Sequence, residues 1–335
     1  MVDLALLGCG HIHTPGFIKM IGKRTDVQVK SVWDHDAARG QGAADELGAR
    51  FIGDVRTILS DPQIGGVVIC SETNRHEELV TQVTQAKKHL FVEKPLGLGA
   101  RDAYTMADAI ERAGVKFQTG YFTRSWGPVH FVRDHLGRGS FGKVTRARYS
   151  VCHSGALEGW FDKQWRWMAD HKQAGVGAFG DLGTHGLDVL IWLFGEVERV
   201  TATIGDGTAR YPGCDELGEG TIVFKNGTIA TLAASWDDWS NPMPMMISGT
   251  DAHAAIINDK LYFKSPKVPG ADGKSPVPDD QIPKGWPHAF DLFLDAVTGK
   301  DVPLVGAREA AYRSAVMEAM YESSRAKSWV SPRQA

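Results

Sequence analysis

The stretch "VDLALLGCGHIHTPG", residues 2–16, sets the fold class because an apolar strand pattern runs directly into a glycine-containing turn and a helical pattern. In a dinucleotide-binding fold, Gly8 would permit the tight turn and Gly10 would let the backbone approach a pyrophosphate. His13 stands where the third glycine of that fingerprint is expected. Asp34 ends the next predicted strand, 24 residues after Gly10, where a carboxylate would accept hydrogen bonds from ribose hydroxyls. The pattern predicts a dinucleotide site and favours NAD over NADP; alternatively, Asp34 is a strand-end turn residue.

A metal site is the alternative interpretation of His11 and His13. Residues i and i+2 share a face in a strand, but these two lie at a strand-to-helix turn, where that geometry is not assured. The sequence marks no third ligand nearby. Histidines beside a pyrophosphate loop can instead donate hydrogen bonds to phosphate or cap the helix. We therefore expect no metal and expect both histidines to lie beside the cofactor.

Composition narrows the class of protein. The 335 residues are 43% hydrophobic and 23% charged, which is typical of a globular protein large enough for more than one core. A formal charge of -3 without blocks of like charge argues against a nucleic-acid partner. The sequence shows neither an apolar run long enough to cross a membrane nor the pattern of a leader peptide, so we expect a cytoplasmic protein without membrane contact. The four cysteines are widely scattered, which indicates reduced thiols.

The rhythm of strands and helices changes near Tyr121. Before it, short apolar strands alternate with helical patterns, which predicts a parallel, doubly wound sheet in a domain of residues 1–122. Beyond it, strands alternate polar and apolar residues, which predicts an α+β domain of residues 123–335 with an open, largely antiparallel sheet. Residues 265–287, rich in Pro, Gly, Lys and Asp, are expected to be a surface excursion, and two helices close the chain. The predicted fold class is α/β.

Three segments resemble, in order, those of the glucose-fructose oxidoreductase, inositol dehydrogenase and MocA family. They are "VVICSETNRHEEL" (67–79), "AKKHLFVEKPLG" (86–97) and "GVGAFGDLGTHGLDVLIWLFG" (175–195). The resemblance spans nearly the whole chain, and it implies an NAD-binding Rossmann domain followed by a domain for substrate binding and oligomerisation. The residues that carry it are Asn74, His76, Glu93, Lys94, Pro95, Asp181, His185 and Asp188.

The resemblance also implies a cofactor site and a cis bond before Pro95. His76 either lines the cofactor loop or caps the helix "EELVTQVTQ", and the sequence leaves both open. The expected cofactor-binding residues are Gly8, Gly10, His11, Ile12, Asp34, Ser71, Thr73, Asn74, His76, Glu93 and Lys94.

The candidate catalytic residues are Lys94, Asp181 and His185. Asp181 and His185 are four residues apart on a predicted helix and so share a face, which Asp188 continues. Lys94 ends a parallel strand, where open α/β sheets bind ligands. We expect His185 to act as acid/base, Lys94 to stabilise an alkoxide, and Asp181 to hold a hydroxyl or orient Lys94. Each residue taken alone also fits a structural role: Lys94 as an exposed lysine at a strand end, His185 as a histidine of the core, and Asp181 as an aspartate at the start of a helix.

The resemblance implies that the substrate is a sugar, glycoside or cyclitol, and flat indole faces suit stacking on a sugar ring. The tryptophans in or near the second domain are Trp126, Trp160, Trp165, Trp167, Trp236 and Trp239. The same tryptophans also fit a core or a subunit interface, and an uncovered sheet face predicts a homodimer or homotetramer. The predicted activity is NAD-dependent hydride transfer at a secondary hydroxyl. Two alternatives stay open: a glycoside-cleaving enzyme that retains NAD and oxidises transiently, and a non-catalytic NAD or sugar sensor. The expected substrate-binding residues are Arg124, Trp126, Trp165, Arg166 and Asp181.

Overall fold

Strands and helices alternate through the first part of the chain, as expected. The computed structural model describes residues 1–334. The strands of this part are β1 (Val2–Cys9), β2 (Val27–Trp33), β3 (Arg50–Phe51), β4 (Ile64–Cys70), β5 (His89–Val92) and β6 (Phe117–Thr119). The helices between them are α1 (Thr14–Gly22), α2 (Ala37–Leu47), α3 (Val55–Leu59), α4 (His76–Gln85) and α5 (Ala100–Ala113), with a 3-10 turn at Thr73–Arg75.

These six strands form one parallel sheet in the order β3-β2-β1-β4-β5-β6. The sheet confirms the predicted doubly wound architecture. Strand β4 is almost entirely buried, as a strand covered by helices on both faces requires. The order reverses between β1 and β4, and ligands of such sheets bind in the crevice at the carboxyl ends of the strands beside that reversal.

The second part of the chain builds a larger sheet. Its strands are β7 (Val144–Cys152), β8 (Val197–Gly205), β9 (Leu217–Phe224), β10 (Ile229–Ser235), β11 (Met245–Gly249), β12 (His253–Ile257), β13 (Lys260–Lys264) and β14 (Asp272–Pro276). Its helices are α6 (Gly127–Gly137), α7 (His171–Ala174), α8 (Ala178–Phe194), α9 (Ala289–Val297) and α10 (Ala307–Ala326), with 3-10 turns at Phe122–Ser125, Arg166–Ala169 and Asp279–Gln281.

The strand order of this sheet is β14-β13-β12-β11-β7-β10-β9-β8. All neighbours pair antiparallel except β7 and β10, so the expected largely antiparallel sheet is confirmed. Residues 265–287 lie largely at the surface, as expected, and they contain one strand that was not predicted, β14, which pairs with β13. Exposed polar residues dominate β14, so its sequence carries no strand periodicity.

Helices α8 and α10 pack on one face of this sheet and form its core with residues such as Phe179, Leu232 and Met320. On α8 the buried positions include polar ones as well as apolar ones. The opposite face carries partly exposed apolar side chains, among them Leu217 and Ile229. Within residues 1–334, none of the helices is both long enough and apolar enough to cross a membrane.

The last part of the chain returns to the first sheet. Phe290 and Phe293 of α9 are fully buried in one core with Phe17 and Phe91, and the Phe17 and Phe290 rings stack with centroids 4.2 Å apart. The beginning of α10 packs on the other face of the same sheet. The domain limits at residues 122 and 123 stay a prediction, since residues 289–311 contribute to the core of the first sheet.

Candidate active site

The turn after β1 has the conformation that a dinucleotide loop needs. Gly8 has φ +82°, and a Cβ atom there would lie 2.6 Å from the backbone of Ser71. The turn therefore requires glycine at Gly8, whereas a Cβ on Gly10 would meet only the movable end of the Arg39 side chain, 2.9 Å away. Helix α1 begins directly after the turn, with Pro15 in its first turn. The backbone here is open to close approach, which fits a pyrophosphate.

Asp34 lies buried at the end of β2. Its oxygens accept the backbone N–H groups of Cys9 at 2.6 Å and Asp36 at 2.8 Å, and both ends of the Arg39 fork at 2.8 Å. Arg39 also donates to Glu72 at 2.8 Å. Asp34 therefore lies at the strand end where the sequence predicted it, but Arg39 covers its carboxylate, and its role as ribose acceptor stays a prediction. The signal for this contact was a basic residue in the first turn of the helix that follows Asp34.

The loop after β4 holds four predicted cofactor residues. Ser71 and Thr73 are buried, whereas Asn74 is exposed. The ring nitrogens of His76 lie 3.0 Å from the carbonyl oxygen of Leu96 and 3.4 Å from that of Ser71. His76 therefore begins α4 and ties this loop to the segment after β5, a bridging position that neither open interpretation had specified. Its role in cofactor binding stays a prediction.

Lys94 of the first part of the chain meets Asp181 of helix α8, which is one of the two contacts that the sequence left open for Asp181. The Nζ of Lys94 lies 2.6 Å from Oδ1 of Asp181 and 3.1 Å from its carbonyl oxygen, and Lys94 is only 3% exposed. The other carboxylate oxygen of Asp181 accepts the indole N–H of Trp236 at 3.2 Å. Burial raises the pKa of Asp181, but the Lys94 ammonium outweighs it and lowers that pKa to about 2. The Lys94–Pro95 bond is cis.

His185 lies one turn along α8 from Asp181. Its ring packs on Phe122 with centroids 4.5 Å apart. Its Nδ1 atom is buried and has no hydrogen-bond partner within the part of the chain that the structure describes. Burial, followed by the charges of Lys94 and His13, holds the pKa of His185 well below its usual range. The imidazole is therefore neutral at neutral pH and able to accept a proton.

Glu93 brings the two histidines of the first turn together. It is fully buried, and its Oε1 lies 3.0 Å from Nδ1 of His13 and 3.7 Å from Nδ1 of His11. Its Oε2 accepts the backbone N–H of Lys94 at 2.9 Å. Burial alone would raise the pKa of Glu93, but His11 and His13 hold it well below its usual range. Burial also lowers the pKa of His11 to about 3.

The predicted substrate residues other than Asp181 differ in how far they are exposed to solvent. Arg124 is buried and donates two bonds to Asp188, one at 2.8 Å and one at 2.5 Å, and a third to Glu309 at 2.7 Å. Its donors therefore face carboxylates of the chain itself, and Arg313 shares Asp188 with it. Among the other substrate residues, Trp126 and Trp165 pack against the core of the second sheet, and Arg166 is exposed over Tyr211. Ile12, which was predicted to bind the cofactor, also packs against that core.

Two tryptophans considered for sugar stacking, Trp236 and Trp167, make contacts at the site that the sequence did not predict. Trp236 holds Asp181, as described above. Trp167 donates its indole N–H to the carbonyl oxygen of Gly10 at 2.7 Å, which fastens the turn after β1 to the second part of the chain. The spacing of tryptophans along the sequence cannot indicate such contacts between distant segments.

Comparison with protein families gives two matches along the chain. Residues 2–121 match the oxidoreductase family with an NAD-binding Rossmann fold, and residues 129–255 match the GFO/IDH/MocA C-terminal domain. Together they cover the predicted order of a cofactor domain followed by a second domain.

Curated proteins of several activities are similar to the chain. Levoglucosan dehydrogenase of Pseudarthrobacter phenanthrenivorans is 25% identical over 83% of this chain and 82% of the relative. The scyllo-inositol 2-dehydrogenase (NAD⁺) of Bacillus subtilis is 26% identical over 91% of this chain and 88% of the relative. A 2,7-anhydro-N-acetylneuraminate hydratase of Escherichia coli is 26% identical over 69% of this chain, and the match spans only 61% of that protein. An oxidoreductase of Streptococcus pneumoniae is likewise matched over 63% of its length, so in both cases the chain covers less than two thirds of the relative.

Solved structures share the fold over the full chain. Levoglucosan dehydrogenase in complex with NADH and levoglucosan superposes with a TM-score of 0.80 at 21% identity and covers 100% of both chains. The WlbA dehydrogenase from Bordetella pertussis, in complex with NADH and UDP-GlcNAcA, superposes with a TM-score of 0.84 at 20% identity over 100% of this chain and 98% of the other.

Proposed function

The chain belongs to the GFO/IDH/MocA family of NAD-binding oxidoreductases, and from that membership we propose that it transfers hydride between NAD and a secondary hydroxyl of a sugar, glycoside or cyclitol. The observation that carries the proposal is the buried Lys94–Asp181 pair with the unpartnered His185 one turn away. A cation, a carboxylate and a neutral base converge at the crevice where open α/β sheets bind ligands.

The residues around the first turn fit NAD. Gly8 gives the turn its left-handed conformation, and Gly10 has no side chain to keep a pyrophosphate from the backbone once Arg39 moves aside. Asp34 would then accept the ribose hydroxyls in place of the Arg39 bonds it now makes. When bound, NAD supplies the hydride acceptor for oxidation of an alcohol. A 2′-phosphate would face the carboxylates of Asp34 and Glu72, which supports NAD rather than NADP as the cofactor.

The side chains of the crevice have complementary roles in moving the hydroxyl proton. His185, neutral because of its burial, would accept this proton from the substrate. Lys94 would donate a hydrogen bond to the same oxygen and stabilise the negative charge that develops on it. Asp181 holds the ammonium of Lys94 in place, so the geometry supports its orienting role over the role of hydroxyl acceptor. Trp236 in turn fixes the carboxylate of Asp181.

Cyclic polyols are the proposed substrate class because the relatives named above include dehydrogenases of an anhydrosugar and of a cyclitol. The environment of Lys94 agrees with such a substrate. Trp236 fixes the carboxylate of Asp181 beside Lys94, and polar side chains of this kind would bind the hydroxyls of a ring.

A second candidate is an enzyme that keeps its NAD and acts on a glycosidic bond through transient oxidation. The observation that favours it is the similarity to a protein named a hydratase rather than a dehydrogenase. The same proton acceptor and alkoxide-stabilising lysine would serve the oxidation step of such a reaction.

The experiment is a substrate panel supplied with NAD or NADP. The panel includes levoglucosan, scyllo-inositol, myo-inositol, free sugars and aryl glycosides, each tested in the oxidative direction and, where available, as the ketone with NADH. NADH absorbance reports net hydride transfer, and chromatography reports any substrate that disappears without cofactor turnover. Net NADH formation supports the dehydrogenase, whereas product without NADH supports the second candidate. No change in either signal, with NAD binding intact, would falsify both.

We also infer a homo-oligomer formed through the open face of the second sheet. Leu217, Ile229 and Ile257 are 36%, 47% and 40% exposed on that face, and apolar side chains of this size favour a covering partner. Light scattering after gel filtration gives the mass in solution. Ile229→Lys should lower that mass to the monomer value, and a monomeric wild type would contradict the inference.

A further inference from the structure

We propose that His11, His13 and Glu93 form a binding site for a divalent first-row transition-metal ion. Two imidazoles and one carboxylate offer ligand atoms that all lie within 4.8 Å of one another. The sequence indicated no third ligand for the two histidines, because Glu93 is 80 residues away along the chain from His13. The fold supplies it at the carboxyl end of β5, beside the turn that follows β1.

The separations of the Glu93 oxygen from the two histidines are close to those of ligands on one ion, and the histidine nitrogens lie within 4.8 Å of each other. Nitrogen and oxygen ligands lie about 2.0 to 2.2 Å from such a metal, which places neighbouring ligand atoms about 3 to 3.5 Å apart. The Glu93 oxygen lies 3.0 Å from Nδ1 of His13 and 3.7 Å from Nδ1 of His11. His11 Nδ1 now accepts the backbone N–H of His13 in a long bond of 3.2 Å, which coordination would replace.

The chemistry of the ligands selects the kind of ion. Imidazole nitrogens favour zinc, cobalt, nickel, copper or iron, whereas magnesium and calcium prefer sites built of oxygen alone. Glu93 has no access to solvent, and Lys94 donates its backbone N–H to the second oxygen, which fixes the carboxylate for coordination. The His13 side chain is 30% exposed and provides the path by which an ion enters.

The site uses His11 and Glu93, which are also expected cofactor-binding residues, and leaves Gly8, Gly10 and Asp34 free. Its ligands are side-chain atoms, whereas the pyrophosphate would lie against the backbone of Gly8 and Gly10, and Asp34 is at the end of another strand. Three protein ligands leave coordination positions for water or for a hydroxyl oxygen of a bound polyol, a pattern found in sites where the metal meets substrate. Lys94 follows Glu93 directly, so this open side lies next to the proposed reaction site.

The test is cobalt binding by protein freed of metal with a chelator. Co²⁺ is added, excess is removed by gel filtration, and metal per chain is measured by mass spectrometry together with visible d–d absorption. Wild type should retain one ion per chain, and His13→Ala, His11→Ala and Glu93→Gln should each weaken the affinity roughly tenfold or more. The exposed residues His171 and Glu198 give the matched controls His171→Ala and Glu198→Gln, which should bind as wild type does.

Circular dichroism and thermal melting verify that each variant is folded. If Glu93→Gln does not fold, His13→Ala still decides the test, because the His13 side chain is partly exposed and its removal disturbs the core less. The proposal is overturned if wild type retains no cobalt after gel filtration, or if the folded ligand variants bind it as wild type does. In either case the cluster is only a hydrogen-bonded group around a buried carboxylate. The measurement needs neither NAD nor substrate, so its failure would not bear on the proposed hydride transfer.

Discussion

The Nζ of Lys94, at the end of β5, lies 2.6 Å from Oδ1 of Asp181 on α8. This ion pair joins the first sheet to the helix layer of the second sheet at the bottom of the crevice. Both side chains are almost inaccessible to water, at 2% and 12% exposure. A buried charge of this kind depends on its partner for stability, and the pair also fixes the ammonium in the place where the reacting oxygen is proposed to lie.

Asp181→Asn should reduce both stability and turnover. Lys94 would keep its charge but lose its ionised partner, and removing one member of a buried pair costs about 3 to 5 kcal/mol of unfolding free energy. Because Lys94 would also be less well placed, kcat should fall more than KM rises. Urea unfolding measures the first effect and steady-state kinetics the second, with the exposed Asp280→Asn as control. Wild-type stability in Asp181→Asn would contradict this account of the pair.

His185 should stay neutral at a pH where ordinary histidines are charged. Its pKa is held below the usual range, first by burial and then by Lys94 and His13. Heteronuclear NMR of the ring nitrogens should show a neutral imidazole at pH 6. Because the unfolded chain then binds more protons than the folded one, the contribution of His185 to the unfolding free energy should fall as pH drops below about 6.5. A ring that titrates near 6.5 would show that the site is more hydrated than the structure implies.

Asp34→Ala should shift cofactor preference towards NADP. In the native chain Asp34 and Glu72 share the guanidinium of Arg39, so a 2′-phosphate would meet two carboxylates and one cation. Without Asp34, Arg39 is free to bind that phosphate, and one charge-assisted hydrogen bond corresponds to about a tenfold change in affinity or more. Calorimetry with NAD and NADP measures the ratio, and the exposed Asp45→Ala is the control. An unchanged ratio would mean that Arg39 does not face the ribose.

Arg124→Leu should lower stability rather than raise KM. The guanidinium of Arg124 is occupied by Asp188 and Glu309, and Asp188 keeps Arg313 as a partner when Arg124 is removed. The loss of charge-assisted bonds at a buried carboxylate then costs about 1 to 3 kcal/mol. Urea unfolding and KM are measured together, with the exposed Arg166→Ala compared in the same assays. A large rise in KM at unchanged stability would instead support the substrate role predicted from the sequence.

Local patterns were sufficient to predict the first sheet, because each β-strand and its following helix bury a recognisable apolar set. They did not indicate where the closing helices pack. The periodicity of α9 predicts a helix with a buried face, but not that Phe290 and Phe293 join Phe17 and Phe91 in the core of the first sheet. Strand β14 was missed because its pairing with β13 depends on the backbone, while its side chains are largely exposed.

The candidate site was predictable where its residues share one element or one motif. Asp181 and His185 lie on one face of α8, and Lys94 was expected at the end of a strand. Contacts between distant segments were not predictable in this way. Glu93 meets His13 across 80 residues, and Trp167 meets Gly10 across 157. These partners follow from how the first turn sits against β5 and the second part of the chain.

The most direct test of the proposed chemistry compares kcat of wild type with that of Lys94→Ala, on the substrate that the panel identifies. Calorimetry first establishes that both proteins bind NAD, and Lys260→Ala, at an exposed position of β13, serves as the matched control. We predict that kcat falls roughly a hundredfold or more in Lys94→Ala, because the developing alkoxide loses its charged donor, while Lys260→Ala keeps the wild-type value. A folded, NAD-binding Lys94→Ala that turns over at the wild-type rate would contradict the account.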